Sequence, residues 1–110
     1  MGFRSHQSSL EHRRVLTLAR EYRSEGYDVT VYPEAADLPD TLSKCPLDLV
    51  ARTDDQVIAV EVRTRQSLTR NGSEDLRRMA AKITEIPGWQ FELVVTNPRN
   101  PKEPEISTTP

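Results

Sequence analysis

Apolar and polar positions repeat with two different periods along this chain, and the switches between them outline a fold. In "SSLEHRRVLTLAREYRSEG", Val15, Leu18, Ala19 and Tyr22 fall at helical spacing, with Glu11 on the same stripe. That pattern predicts an amphipathic helix. Ser8 and Glu11 have the spacing of a capping box, and Gly26 is a good stop. "YDVTVYP" then alternates with period two, which predicts a strand closed by Pro33. Tyr27, Val29 and Val31 share one side of it, and Asp28, Thr30 and Tyr32 the other. "EAADLPDTLSKCP" reads as a connection with at most a short helical turn. "LDLVART" and "QVIAVEVRTR" read as two strands joined by a hairpin turn at Asp54-Asp55.

"SLTRNG" is a loop, and "SEDLRRMAAKITEI" predicts a second helix. Ser73 can cap it, acids fill its first turn, and Leu76, Met79, Ala80 and Ile83 form its apolar face. Pro87-Gly88 stops it. "WQFELVVTN" is the last strand, expected to be buried. From Pro98 on, four prolines and almost nothing apolar predict a linker or disordered tail. The order is α-β-β-β-α-β. A helix between the third and fourth strands predicts a crossover, hence a parallel pair in a mixed four-stranded sheet flanked by helices. With 110 residues the chain is one α/β domain, residues 8–98, followed by the tail at 99–110.

Composition narrows the setting. Cys45 is the lone cysteine, which excludes a disulfide framework and points to a reducing cytoplasm. No apolar run approaches the roughly 20 residues of a membrane span, and "MGFRSHQSS" has no signal-peptide h-region. The net charge of −2 hides alternating blocks: +3 over residues 1–24, −7 over 25–61, +4 over 62–82 and −2 over 83–110. Two basic helical segments can therefore frame an acidic centre.

That centre holds two acids where strands should hold Val or Ile. Glu61, Arg63 and Arg65 share one face of the third strand, and Asp48 aligns with Val50 and Arg52 on the second. A hairpin about Asp54-Asp55 brings Asp48 near Glu61 or Arg63. Two carboxylates and a cation at one sheet edge suit phosphodiester hydrolysis, in which acidic oxygens hold a hard divalent cation such as Mg²⁺. The plainer reading is an ion pair of these acids with Arg63 or Arg52. Glu11 reads first as the capping-box partner of Ser8, His6 and His12 as polar surface, Trp89 as packing and Cys45 as inert.

Asp48, twelve residues, Glu61, one residue, Arg63 resembles the D-(x)n-E-x-K signature of the PD-(D/E)XK, or restriction endonuclease-like, superfamily. The element order is similar to that superfamily's core. "EYRSEGYDV", "LDLVARTDDQVIAVEVRTR" and "PGWQFELVVTNP" resemble the archaeal Holliday junction resolvase-like (AHJR-like) endonuclease domain, over about residues 8–98. The resemblance implies a metal-dependent DNA endonuclease. It implies Asp48 and Glu61 as ligands of Mg²⁺ (Mn²⁺ as substitute), the Val62 carbonyl as a third ligand and Glu11 as a fourth. Arg63 stands at the position of the catalytic lysine. Gln66 and Ser67 follow where a substrate contact would lie, and Arg65, Arg70, Arg77 and Arg78 would track nucleic acid.

The resemblance further implies DNA as partner, linear or branched, a homodimer, and a fused C-terminal helical domain beyond this chain; the lack of a long apolar run implies no membrane partner. Two departures stand out. Arginine stays protonated, so it can bind phosphate but is a poor general base; and Pro46 lies two residues before Asp48 instead of next to it. The alternative is therefore a catalytically degenerate nuclease-fold module that binds nucleic acid or a protein without cutting.

Overall fold

The computed structural model describes residues 9–65 and 74–96. Ser8, Gln66, Ser67, Arg70, Ser73 and the proline-rich tail lie outside them. The first helix, α1, runs Ser9–Ser24 and buries Glu11, Val15, Leu18 and Ala19, the predicted stripe. It ends at Gly26, whose φ of +97° suits a residue without Cβ. There the Gly26 N–H bonds the Arg23 carbonyl at 3.0 Å and the Tyr27 N–H bonds the Tyr22 carbonyl at 3.1 Å, a Schellman pair that satisfies the last turn.

Strands β1 (Asp28–Val31), β2 (Leu49–Arg52), β3 (Val57–Arg63) and β4 (Trp89–Val95) form one sheet in the order β1-β2-β3-β4. The first two pairings are antiparallel. The third is parallel, as the crossover through α2 (Glu74–Thr84) predicts. The β2–β3 hairpin closes where expected: Arg52 pairs with Val57, and the Thr53 N–H bonds the Gln56 carbonyl at 2.9 Å. Two short 3₁₀ turns, Ala35–Asp37 and Asp40–Leu42, occupy the connection before β2.

Alternation along the strands separates two cores. Val29, Leu49, Ala51, Ile58, Val60 and Val62 pack with Val15, Leu18 and Ala19 of α1. Val50 and Ala59 pack on the opposite face with Leu76, Met79 and Ile83 of α2, and with Leu38, Leu42 and Leu47 from the connection. The domain is thus a helix–sheet–helix sandwich.

Two expectations are corrected. Tyr32 packs against the α1-side core together with Val31, not on the opposite side. Its φ is +52°, a left-handed conformation rare for a residue with a Cβ, and it breaks the strand's alternation. The last strand is an edge strand instead of a buried one. The α2 core covers Trp89 and Phe91, but Leu93 and Val95 lie further along that face and are 38% and 44% exposed. Among the described residues no helix is long and apolar enough to cross a membrane.

Candidate active site

Regular β2–β3 pairing ends at Leu49 opposite Val60, and one step further places Asp48 beside Glu61. The Asp48 N–H still bonds the Val60 carbonyl, at 3.1 Å. Both carboxylates are 0% exposed. By alternation with Val50 and Ala59 they lie on the α2 face, together with Arg63. An ionised carboxylate in an apolar interior is costly unless paired and hydrogen-bonded, so the partners of each acid decide what the site is.

Asp48 Oδ2 accepts the Val62 N–H at 2.7 Å. A side-chain carboxylate thus receives a strand N–H just where backbone pairing with β2 runs out, in a short, charge-assisted bond. In an extended strand the N–H and C=O of one residue point to the same edge, so the Val62 carbonyl lies on the β2 side, near Asp48. Glu61 Oε2 is 2.5 Å from the Arg63 guanidinium, which is itself 21% exposed. The pair is closed at its carboxylate end and open to solvent at its cationic end. Asp48, Glu61 and Arg63, linked in the sequence only by strand alternation and a hairpin, therefore do meet.

Glu11 is placed differently. It is 4% exposed, and its Oε2 accepts the Thr64 N–H at 2.8 Å from the α1 side. This bond goes to the end of β3; Ser8, the capping-box partner expected from sequence, lies outside the described residues. Among the described residues no three Asp, Glu, His or Cys side chains form a group that could hold a metal ion. Arg65, Arg77 and Arg78 are exposed. Arg78 contacts Asp75 at 3.2 Å and Glu74 at 4.0 Å on the surface of α2.

His12, read from sequence as polar surface, is half-buried: its Nδ1 lies 2.8 Å from the Tyr32 hydroxyl, and the rings stack at 5.8 Å with an 11° interplanar angle. No local signal announces this contact; a histidine next to an acid on a buried stripe was the available hint. Cys45 is half-buried, and burial pushes its thiol pKa up; the Glu61 charge adds to that and Lys82 opposes it. A protonated thiol is a poor nucleophile, in keeping with an inert role. Trp89 packs against the α2-side core, also as expected.

The family model for AHJR-like restriction endonucleases (REase_AHJR-like) matches residues 3–108. The chain belongs to the AHJR-like family. No curated protein matches it. The match extends beyond residues 8–98 at both ends. Membership agrees with the α-β-β-β-α-β order and the mixed sheet, and it makes the meeting of Asp48, Glu61 and Arg63 at one sheet end the natural place to look for chemistry.

A nuclease family of this kind typically depends on a metal. The donor set has the right chemistry for a small hard cation: two buried carboxylates on adjacent strands, with a strand carbonyl on the edge between them. Mg²⁺ is commonly held by one or two carboxylates and completed by water and phosphate oxygens, without an all-protein cage. The residues fit that mode.

Proposed function

We propose that this domain hydrolyses phosphodiester bonds in DNA with the help of Mg²⁺ or Mn²⁺. The observation that carries the reading is the complete burial of Asp48 and Glu61 side by side on one sheet face, with the Arg63 guanidinium in contact with Glu61. Two adjacent acids are a poor choice for stability alone, because a hydrophobic pair of similar volume would cost less.

Asp48, Glu61 and the Val62 carbonyl would hold the metal, which when bound supplies a polarised phosphate oxygen and an acidified water. Asp48 is fixed for this by the Val62 N–H, which orients its carboxylate against β3. A guanidinium is a fixed positive charge, so the part of Arg63 is electrostatic: it can leave Glu61 for a phosphate oxygen and stabilise the negative charge that builds there. It does not take the proton of the attacking water. Glu11 holds the end of β3 through the Thr64 N–H. Arg65, Arg77 and Arg78, with Gln66, Ser67 and Arg70 in the segment after Arg65, are the residues we assign to the nucleic-acid backbone.

The test is metal-dependent nicking of supercoiled plasmid by wild type, Asp48→Ala and Arg63→Lys. We expect cleavage by wild type with Mg²⁺ or Mn²⁺ and none by Asp48→Ala. Equal cleavage by both would remove the reading. One observation favours a second: the 2.5 Å contact of Arg63 with Glu61 neutralises the acid that a metal would need. If wild type is silent and Arg63→Lys cleaves, the domain is a degenerate nuclease fold whose metal site is intact, and its role is binding.

A further inference from the structure

One turn of α1 grips both strands that flank β2. Glu11 takes the Thr64 N–H at the end of β3, and its neighbour His12 contacts Tyr32 at the end of β1. Between them lies Asp48, whose carbonyl accepts the Tyr32 N–H at 2.8 Å. Tyr32 is also the non-glycine residue with positive φ among the described residues. A strained backbone at such a place is a reason to ask what it achieves.

Alternation gives an answer. Val31 faces the α1 core, so an extended Tyr32 would send its ring to the opposite face, the face of Asp48, Glu61 and Arg63. The backbone at +52° turns the ring back onto the α1 side, where it stacks on His12 with the hydroxyl 2.8 Å from Nδ1. The left-handed conformation is unfavourable for a tyrosine in itself, so something must hold it: the Tyr32 N–H bond to the Asp48 carbonyl holds the backbone, and the His12 stack and hydrogen bond hold the ring. We propose that His12 and Tyr32 are a positioning pair: His12 latches the Tyr32 ring on the α1 side and so keeps it off the Asp48–Glu61–Arg63 face while the Tyr32 backbone steadies Asp48. The consequence for metal binding rests on the function proposed above; the latch itself does not.

The experiment compares wild type, His12→Ala, Tyr32→Gly and the double variant by two readouts. In nuclear Overhauser spectra of wild type, the Tyr32 ring should contact methyls of the α1-side core. In His12→Ala it should lose those contacts and lie instead beside Asp48 and Thr30, its neighbours on the opposite face. In calorimetric titration with Mn²⁺ alone, His12→Ala should bind about tenfold more weakly, the size typical of losing a group that orients a ligand. Tyr32→Gly, free of strain at positive φ and with no ring to swing, should bind nearly as wild type. The double variant should recover most of the His12→Ala loss, since there is then no ring to misplace; a merely structural role for His12 predicts no such rescue.

A Tyr32 ring that stays on the α1 side in His12→Ala would overturn the latch. So would a double variant no better than His12→Ala. If wild type binds no Mn²⁺, the metal reading falls separately, and the ring contacts alone decide the latch.

Discussion

The two ends of the β2–β3 hairpin carry the same kind of residue under opposite conditions. At the turn, Asp54 and Asp55 are exposed and lie beyond the last strand pair. At the other end, Asp48 and Glu61 are fully buried. An acid in a solvated turn keeps its hydration and costs little, whereas one inside a sandwich gives up its water and must find a replacement. The replacements at the buried end are specific: a strand N–H at 2.7 Å for Asp48 and a guanidinium at 2.5 Å for Glu61. The lesson is that residue type alone says little about function here. The free-energy cost of the position says more, and it is the burial, together with family membership, that turns two ordinary acids into a candidate catalytic pair.

The sharpest way to break that comparison is to neutralise one acid at each end. Asp48→Asn keeps an oxygen that can accept the Val62 N–H but removes the buried charge. We expect cleavage to fall at least about 100-fold, in the range seen when a charge-stabilising group is lost from a site. We expect stability, measured by urea unfolding, to stay level or rise, because a buried charge has been taken out. Asp54→Asn and Asp55→Asn should leave cleavage unchanged and stability within about 0.5 kcal/mol. A large stability loss in Asp48→Asn with cleavage preserved would mean that Asp48 is structural.

A second contrast sets the buried ion pair against an exposed one. Arg63→Ala leaves Glu61 without its guanidinium. Breaking a fully buried pair costs roughly 3–5 kcal/mol; Arg63 is partly solvated, so about 2 kcal/mol is expected. Adding Glu61→Gln should return part of the loss, with a coupling of about 1–2 kcal/mol in the double-mutant cycle. Arg78→Ala, which removes contacts to Glu74 and Asp75 on the surface of α2, should cost no more than about 0.5 kcal/mol. If both arginines cost the same, the Arg63–Glu61 contact carries no special weight and the site loses its electrostatic argument.

Most of the fold was legible because it follows from periodicity. The helical stripe at Val15, Leu18 and Ala19, the alternation around Asp54-Asp55 and the inward set Leu76, Met79 and Ile83 all bury as their spacing requires. The meeting of Asp48, Glu61 and Arg63 followed from period two plus one hairpin. What periodicity does not encode is strand order and backbone strain. β4 reads as apolar, but its position at the sheet edge depends on where a crossover lands, and the polar Gln90 and Glu92 alternating with Trp89 and Phe91 were the only local hint of an exposed side. Tyr32 could not be foreseen at all, since nothing in "TVYPE" requires a tyrosine at positive φ. Its ring is held by His12, which lies 20 residues away in sequence.

Glu11 lies between these cases and gives the finest test. Its spacing from Ser8 suggested a capping box, while its place on the apolar stripe suggested that it faces the sheet. The structure bears out the second, with Oε2 on the Thr64 N–H at 2.8 Å, while Ser8 lies outside the described residues. If that bond is its main task, geometry matters more than charge. Glu11→Gln can still accept from Thr64 and should hold stability within about 1 kcal/mol, whereas Glu11→Ala strands a half-buried N–H and should cost about 1–3 kcal/mol. Cleavage by Glu11→Gln should fall far less than the roughly 100-fold expected for Asp48→Asn. Should Glu11→Gln instead match Asp48→Asn in lost cleavage while keeping its stability, the charge of Glu11 would belong to the reaction, and the acid would have to be counted as a third member of the site brought in from the opposite side of the sheet.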